Sequence, residues 1–194
     1  MQIILASASP RRQELLKLIF DDFIIQTSSC EENTSFTTPS QYVMDLARQK
    51  ALDVAKAVSD IHPDSLIIGA DTIVFHENTI LGKPKDKDEA RQMITSLSGK
   101  THFVYTGICL VSMTGEAPII HSAYDCTKVQ VAPLTESEIS TYISTLEPYD
   151  KAGGYAIQGL FGKHILGIEG DYFNVVGLPV HLLYEELKTH NLIK

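Results

Sequence analysis

The chain has 194 residues, 44 % hydrophobic and 21 % charged, with a formal net charge of -8. This is ordinary for a globular protein with a substantial core; the acidic excess excludes a general nucleic-acid grip but not a phosphorylated small molecule held by a local Arg/Lys cluster. Three widely spaced cysteines without a zinc pattern read as reduced thiols, and no apolar run approaches the ~20 residues of a membrane span.

The first apolar run, Ile3-Ile4-Leu5, predicts a short buried strand. Small residues follow, then Ser9 as helix cap and Pro10 at the first helical position. An amphipathic helix is expected to run on through Ile19. Arg11 and Arg12 in its first turn oppose the usual preference for acidic residues there, which makes sense if an anion binds. A guanidinium fork matches phosphate oxygens two at a time. The alternative is a pair of solvated surface arginines.

Phe23-Ile24-Ile25 predicts a second strand, with Glu31 and Glu32 in the polar loop after it. Ser40 is expected to cap a long helix reaching Val58, with Tyr42, Val43, Leu46, Ala47, Val54 and Val58 as its apolar stripe and Lys50 along it. Ser65 to Ala70 reads as a buried strand that Asp71-Thr72 interrupts before Ile73-Val74-Phe75 resumes. A carboxylate inside an apolar strand must pair with a cation or face a cleft, which marks Asp71 as a functional candidate. Ile80-Leu81 returns as a short strand, and Gly82 and Pro84 hold Lys83 at its end.

Asp86 to Glu89 fits a capping-box variant opening a helix to Leu97, closed by Ser98-Gly99. Gly99-Lys100-Thr101 imitates the end of a P-loop, but Ile94 stands where a glycine is needed and the strand–helix order is reversed. Thr101–Ser112 and Ile119–Val131 predict an antiparallel hairpin around Met113-Thr114-Gly115-Glu116. Thr135 to Glu138 is a capping box for a helix to Ser144. The double glycine 153–154 suits either close approach by a ligand or a flexible turn. Tyr155–Gly159 predicts a strand carrying Gln158, whose amide can read a base edge or satisfy backbone groups. Ile165–Ile168 and Phe173–Val176 predict a hairpin, and Gly177-Leu178-Pro179 opens a last helix to His190. With no repeat and no linker composition, one α/β domain over residues 1–194 is the expectation.

The hexapeptide Ser7-Ala8-Ser9-Pro10-Arg11-Arg12 resembles the opening signature of the Maf family of nucleoside triphosphate pyrophosphatases. The resemblance continues, in the family's order, through Gly69-Ala70-Asp71-Thr72-Ile73-Val74, Leu81-Gly82-Lys83-Pro84 and Leu97-Ser98-Gly99-Lys100-Thr101-His102. It then takes in Glu147-Pro148, Asp150-Lys151-Ala152-Gly153, Ile157-Gln158-Gly159 and Val176-Gly177-Leu178-Pro179. Each motif alone is weak, and the ordered set over almost the whole chain is highly specific. Gly154 and Ala156 stand where the family more often has Ala and Gly.

The resemblance implies a mixed, elongated, twisted α/β sheet with flanking helices and a cleft between two lobes, the Maf/ITPase-like arrangement. It implies hydrolysis of a nucleoside triphosphate to the monophosphate and pyrophosphate with a divalent metal, Mg²⁺ or Mn²⁺. Ser-Pro-Arg-Arg with Ile-Gln-Gly is similar to the branch acting on dTTP and UTP and on some modified pyrimidine nucleotides. Asp71 matches the family's proton acceptor. Arg11, Thr72 and Gln158 match positions linked to substrate choice, and Ser7, Arg12, Lys50, Lys83 and one of Glu31 or Glu32 match the polar lining. Asp71 with Glu31 or Glu32 would supply metal-binding carboxylates. Alternatives are a 7-methyl-GTP-type pyrophosphatase and a non-catalytic nucleotide-sensing regulator. With no secretory signal and no membrane-length apolar run the chain reads as cytoplasmic and without a membrane partner, and its acidic balance speaks against nucleic acid as a partner. The resemblance is compatible with a homodimer and implies a protein that keeps non-standard nucleotides out of nucleic acids or acts in division arrest.

Overall fold

The computed structural model describes residues 1–115 and 117–193. Glu116, expected in the hairpin turn, lies outside the described residues. The strands are β1 (Gln2–Ala6), β2 (Ile24–Ile25), β3 (Ser65–His76), β4 (Thr79–Leu81), β5 (Thr101–Ser112), β6 (Ile119–Val131) and β7 (Ile165–Glu169). The helices are α1 (Pro10–Leu16), α2 (Pro39–Val58), α3 (Lys87–Leu97), α4 (Glu136–Ile143), α5 (Tyr172–Val176) and α6 (Val180–Thr189). Among the described residues the strands form one mixed sheet in the order β2-β1-β3-β5-β6-β7, with β4 paired to β3. β1 runs parallel to both β2 and β3, whereas β3–β4 and β6–β7 are antiparallel. The α/β class and the expected flanking helices are present.

The chain packs into two compact units. One comprises residues 1–71, 106–125 and 177–194; the other comprises 72–105 and 126–176. The core of the first joins Ile4 and Ala6 of β1, Ile67 of β3 and Cys109 and Val111 of β5 to Ala47, Ala51, Val54, Ala55 and Val58 of α2. Burying each of its larger aliphatic side chains contributes about 1.5–3 kcal/mol. The core of the second gathers Ala90, Ile94 and Leu97 of α3, Ile139, Tyr142 and Ile143 of α4, and Tyr155 and Phe161. Among the described residues no helix is long and apolar enough to cross a membrane.

Several predicted elements differ. β3 is unbroken through Asp71 and Thr72, because a charged side chain interrupts a hydropathy pattern without interrupting the backbone ladder. α1 stops at Leu16, short of Ile19; Ser9 is its N-cap residue, but its side chain makes no capping hydrogen bond. α2 starts at Pro39 with Thr38 as N-cap residue, so Ser40 lies inside it. Residues 157–158 are a turn, closed by Gly159 N–H donating to Ala156 O at 3.1 Å, where a strand is expected. Tyr172–Val176 is a helix instead of a strand. Asp171 starts it by accepting from Phe173 N–H at 2.8 Å, and Asn174 turns inward to donate to Val104 O and Thr127 Oγ1. The last helix begins at Val180, with Pro179 as its cap residue.

Candidate active site

β1 and β3 run parallel in the register Leu5↔Ile68 and Ala6↔Gly69. Ser7 is therefore the first residue beyond the carboxyl end of β1, beside the stretch of β3 that carries Asp71. The loops leaving the carboxyl ends of parallel strands are where α/β proteins assemble ligand sites. Here the loop after β1 supplies Ser7, the helix α1 that it opens supplies Arg12, and the loop after β2 supplies Glu32.

The position of Asp71 follows from strand periodicity. Side chains at i and i+2 share a face, so Asp71 shares one with Gly69. At Gly69 that face meets α2: a Cβ there would lie 2.3 Å from Ala47 O and 2.9 Å from Ala51 Cβ. A second close approach occurs at Gly107 of β5, where a Cβ would sit 2.4 Å from Val43 O. These glycines allow the helix backbone to lie directly on the sheet. Lys50, between Ala47 and Ala51, is thereby brought to Asp71.

Lys50 Nζ lies 2.6 Å from Asp71 Oδ1 and 3.0 Å from Glu32 Oε1, so one ammonium joins two carboxylates. Asp71 is 7 % exposed. Burial raises its pKa, Lys50 and Arg12 pull it down, Glu32 pushes it up, and the net direction is upward. The carboxylate is thus a stronger base than an ordinary aspartate while cations hold it in place.

Arg12 is held by contacts that include Nε donating to Gly177 O at 2.8 Å and Nη1 donating to Ser7 Oγ at 3.3 Å. Gly177 has φ +124°, a conformation side chains disfavour, so the Gly-Leu-Pro motif serves the orientation of this guanidinium as well as the start of α6. Ser7 Oγ also accepts from Ser9 N–H at 3.2 Å, fastening the turn between β1 and α1. Burial disfavours the charge on Arg12, with Asp71 opposing that effect and Arg11 adding to it. Arg11, Arg12 and Lys50 therefore bring three cations to a region with two carboxylates.

The choice between Glu31 and Glu32 has a structural basis. Asp53 of α2 accepts from Ser28 Oγ and Ser29 N–H, both at 2.8 Å, and those bonds lower its pKa, the Ser29 amide most. Gln49 Nε2 donates to Asn33 O at 2.8 Å. The loop is tied to α2 on both sides of Glu32; both glutamates are exposed, but Glu32 is the one whose carboxylate reaches Lys50. Neither Asp53 nor Gln49 stands out in the sequence, because a polar residue on an exposed helix face has no distinctive signal. Tyr42 is a further member that reads in sequence as part of the apolar stripe. Its phenol pKa is raised by burial and then by Asp71 and Glu32, so it feels the same negative charge.

The remaining predicted residues belong to the second unit. Thr72 follows Asp71 on β3 and is half-buried. Lys83, exposed after β4, lies next to Gly82, whose carbonyl accepts from Gly153 N–H at 2.9 Å. Gly153 has φ +66° and packs on Val74, where a Cβ would lie 2.7 Å from a side-chain methyl. The first of the paired glycines thus answers to packing and turn geometry. Gln158 is exposed on the turn that replaces the expected strand.

The profile of the Maf-like protein family matches residues 2–190. A dTTP/UTP pyrophosphatase of Agathobacter rectalis is 52 % identical over 201 aligned positions, covering 96 % of each chain. A dTTP/UTP pyrophosphatase of Lachnoclostridium phytofermentans is 47 % identical, covering 96 % of this chain and 94 % of its own. One from Bacillus cereus is 46 % identical, covering 98 % and 96 %.

Proposed function

The chain belongs to the Maf-like family, and on that premise we propose that it hydrolyses dTTP and UTP to the monophosphate and pyrophosphate. Asp71 is the proposed proton acceptor for the attacking water. The observation that carries this reading is the buried Asp71 held at 2.6 Å by Lys50 and facing the charge of Arg12. Phosphoanhydride cleavage needs an oriented water and positive charge where the transition state spreads negative charge over phosphate oxygens. A base with an elevated pKa beside fixed cations suits both needs. Relatives 46–52 % identical that carry the dTTP/UTP pyrophosphatase name support the substrate.

In this reading Arg12, aimed by Gly177 and Ser7, grips phosphate oxygens, and Arg11 adds charge beside it. Lys50 orients Asp71 and moves between carboxylate and phosphate as the nucleotide arrives. Lys83 adds a further cation, and Thr72 and Gln158 select the base. The family resemblance implies a divalent cation, and the donor chemistry fits one. Asp71 and Glu32 offer carboxylate oxygens gathered at one point by Lys50, the hard ligands Mg²⁺ or Mn²⁺ takes. Among the described residues no group of three or more His, Cys, Asp or Glu side chains is placed for a metal. Asp71 and Glu32 would hold the ion. When bound, the ion would neutralise charge on phosphate oxygens. In this reading the enzyme works in the cytoplasm and, on the same resemblance, keeps non-standard nucleotides out of nucleic acids.

The test is pyrophosphate release from a nucleotide panel, with and without Mg²⁺ or Mn²⁺, for wild type and Asp71→Asn. Metal-dependent release from dTTP and UTP, reduced by about 10²–10⁴ in the variant, is expected. Release from guanine nucleotides alone would overturn the substrate, and near-normal turnover by Asp71→Asn would overturn the base. Binding of dTTP without cleavage by wild type would favour a nucleotide-sensing regulator.

A further inference from the structure

We propose that Glu147 is a positioning residue for base selection, acting by locking the turn that presents Gln158. The proposal rests on the reading of Gln158 as a residue that selects the base.

Gln158 sits on a short exposed turn, a poor place for discrimination unless the turn is rigid. The structure fixes it on both sides. On the upstream side, the Tyr155 hydroxyl is 2.6 Å from Nε2 of the fully buried His102. On the downstream side, Glu147 accepts from Leu160 N–H through Oε2 at 2.8 Å and from Phe161 N–H through Oε1 at 3.3 Å. The Tyr142 hydroxyl, 3.1 Å from both Glu147 Oε1 and Gly154 O, ties this carboxylate to the chain upstream of Tyr155. Below the turn, Phe161 is fully buried and packs its ring against Tyr142 and Tyr155.

Gly159 supplies an independent sign that the carboxylate belongs there. Its φ of -102° suits any residue, so backbone conformation does not require glycine. A Cβ at this position, however, would lie 2.4 Å from the Glu147 carboxylate. A carboxylate is mobile enough to swing away from such a Cβ, but doing so would surrender the Leu160 and Phe161 amides. Glycine directly after Gln158 is what lets Glu147 reach under the turn. Glu147 does not touch the base in this account; it acts through the backbone that carries Gln158.

The experiment compares wild type, Glu147→Gln, Gly159→Ala, the double variant and Gln158→Ala, measuring kcat and KM for dTTP and dCTP, with thermal melting as the folding control. Glutamine would turn its NH₂ toward one of two amide donors, and Gly159→Ala would expel an intact Glu147. The expected result is the same for both: KM for dTTP rises at least tenfold, kcat stays within about threefold, and preference for dTTP over dCTP collapses as in Gln158→Ala. The double variant should be no worse than either single variant. Wild-type preference in a folded Glu147→Gln, or equal losses on both nucleotides, would overturn the proposal. If Glu147→Gln does not fold, Gly159→Ala alone decides by the same criteria. If wild type shows no preference between the bases, or Gln158→Ala leaves it intact, base reading by Gln158 falls and the role of Glu147 falls with it. Wild-type preference lost in Gln158→Ala but kept in both Glu147→Gln and Gly159→Ala overturns the role of Glu147 alone.

Discussion

Gly69→Ala should uncouple helix α2 from the sheet, with stability and catalysis failing together. The new Cβ would lie 2.3 Å from Ala47 O and 2.9 Å from Ala51 Cβ. Ordinary contact begins near 3.4 Å, so the helix must retreat by about 1 Å. The obstacle is the backbone of a twenty-residue helix, which cannot turn aside like a side chain. Overpacking of this kind costs about 1–3 kcal/mol, and the rigid obstacle puts the cost at the upper end. Lower entropy in the unfolded chain returns about 0.4–1 kcal/mol. The net loss of about 2 kcal/mol corresponds to a Tm drop of roughly 4–8 °C for a domain of this size. The same retreat draws Lys50 away from Asp71 Oδ1, and a misplacement of about 1 Å can lower turnover ~100-fold. Calorimetry and pyrophosphate release well below the Tm would measure both. A variant with wild-type Tm would refute the claim that backbone contact at Gly69 holds α2.

Four further results are expected. The upward shift of the Asp71 pKa places the acid limb of kcat/KM above the ordinary aspartate value of about 3.9, because activity needs the ionised base and declines as pH falls through that pKa. Its linkage to stability has the opposite sign: the protonated form is favoured in the fold, so stability falls as pH rises through the raised pKa. Asp71→Asn should therefore melt no lower than wild type at pH 7; a loss of several degrees would show the ionised carboxylate to be net stabilising. His102 is buried neutral, with its pKa lowered to about 4 chiefly by burial and then by His76. The unfolded chain binds this proton first, so stability is lost as pH falls from about 6.5 to 4, on the order of 3 kcal/mol in total. His102→Gln should flatten that part of the Tm–pH curve, and an unchanged slope would refute the assignment. Arg12→Lys keeps the charge but loses the fork that spans Gly177 O and Ser7 Oγ. KM for dTTP should rise about tenfold with a smaller change in kcat, and an unchanged KM would remove Arg12 from phosphate binding.

Much of this architecture is legible in the sequence because the signals are local. Thr135 and Glu138 form the expected capping box, with both reciprocal hydrogen bonds present. Thr101–Ser112 and Ile119–Val131 are strands over their whole expected length. The failures occur where a tertiary partner overrides a local pattern. Tyr155–Gly159 alternates like a strand, yet its backbone closes on itself through Gly159 N–H and Ala156 O, and Glu147 takes the next two amides, of Leu160 and Phe161, from any ladder. Phe173–Val176 has strand composition, yet Asp171 and Asn174 spend their side chains on nearby backbone and on Val104 and Thr127, favouring a helical turn.

The catalytic candidate itself shows how far a one-dimensional reading reaches. A carboxylate within an apolar strand is conspicuous, and the cost of burying it requires a cation nearby. Which cation answers is a question of register. Lys50 lies twenty-one residues away on a helix where a lysine is usually solvated. It becomes the partner because Gly69 and Gly107 let α2 settle close enough to the sheet for its side chain to reach Asp71. The loop bearing Glu32 is likewise placed by Asp53 and Gln49, both on that helix. The sequence signs of the site are therefore of two kinds: charged residues where charge is expensive, and small residues where elements must meet. The packing of α2 on β3 and β5 joins them.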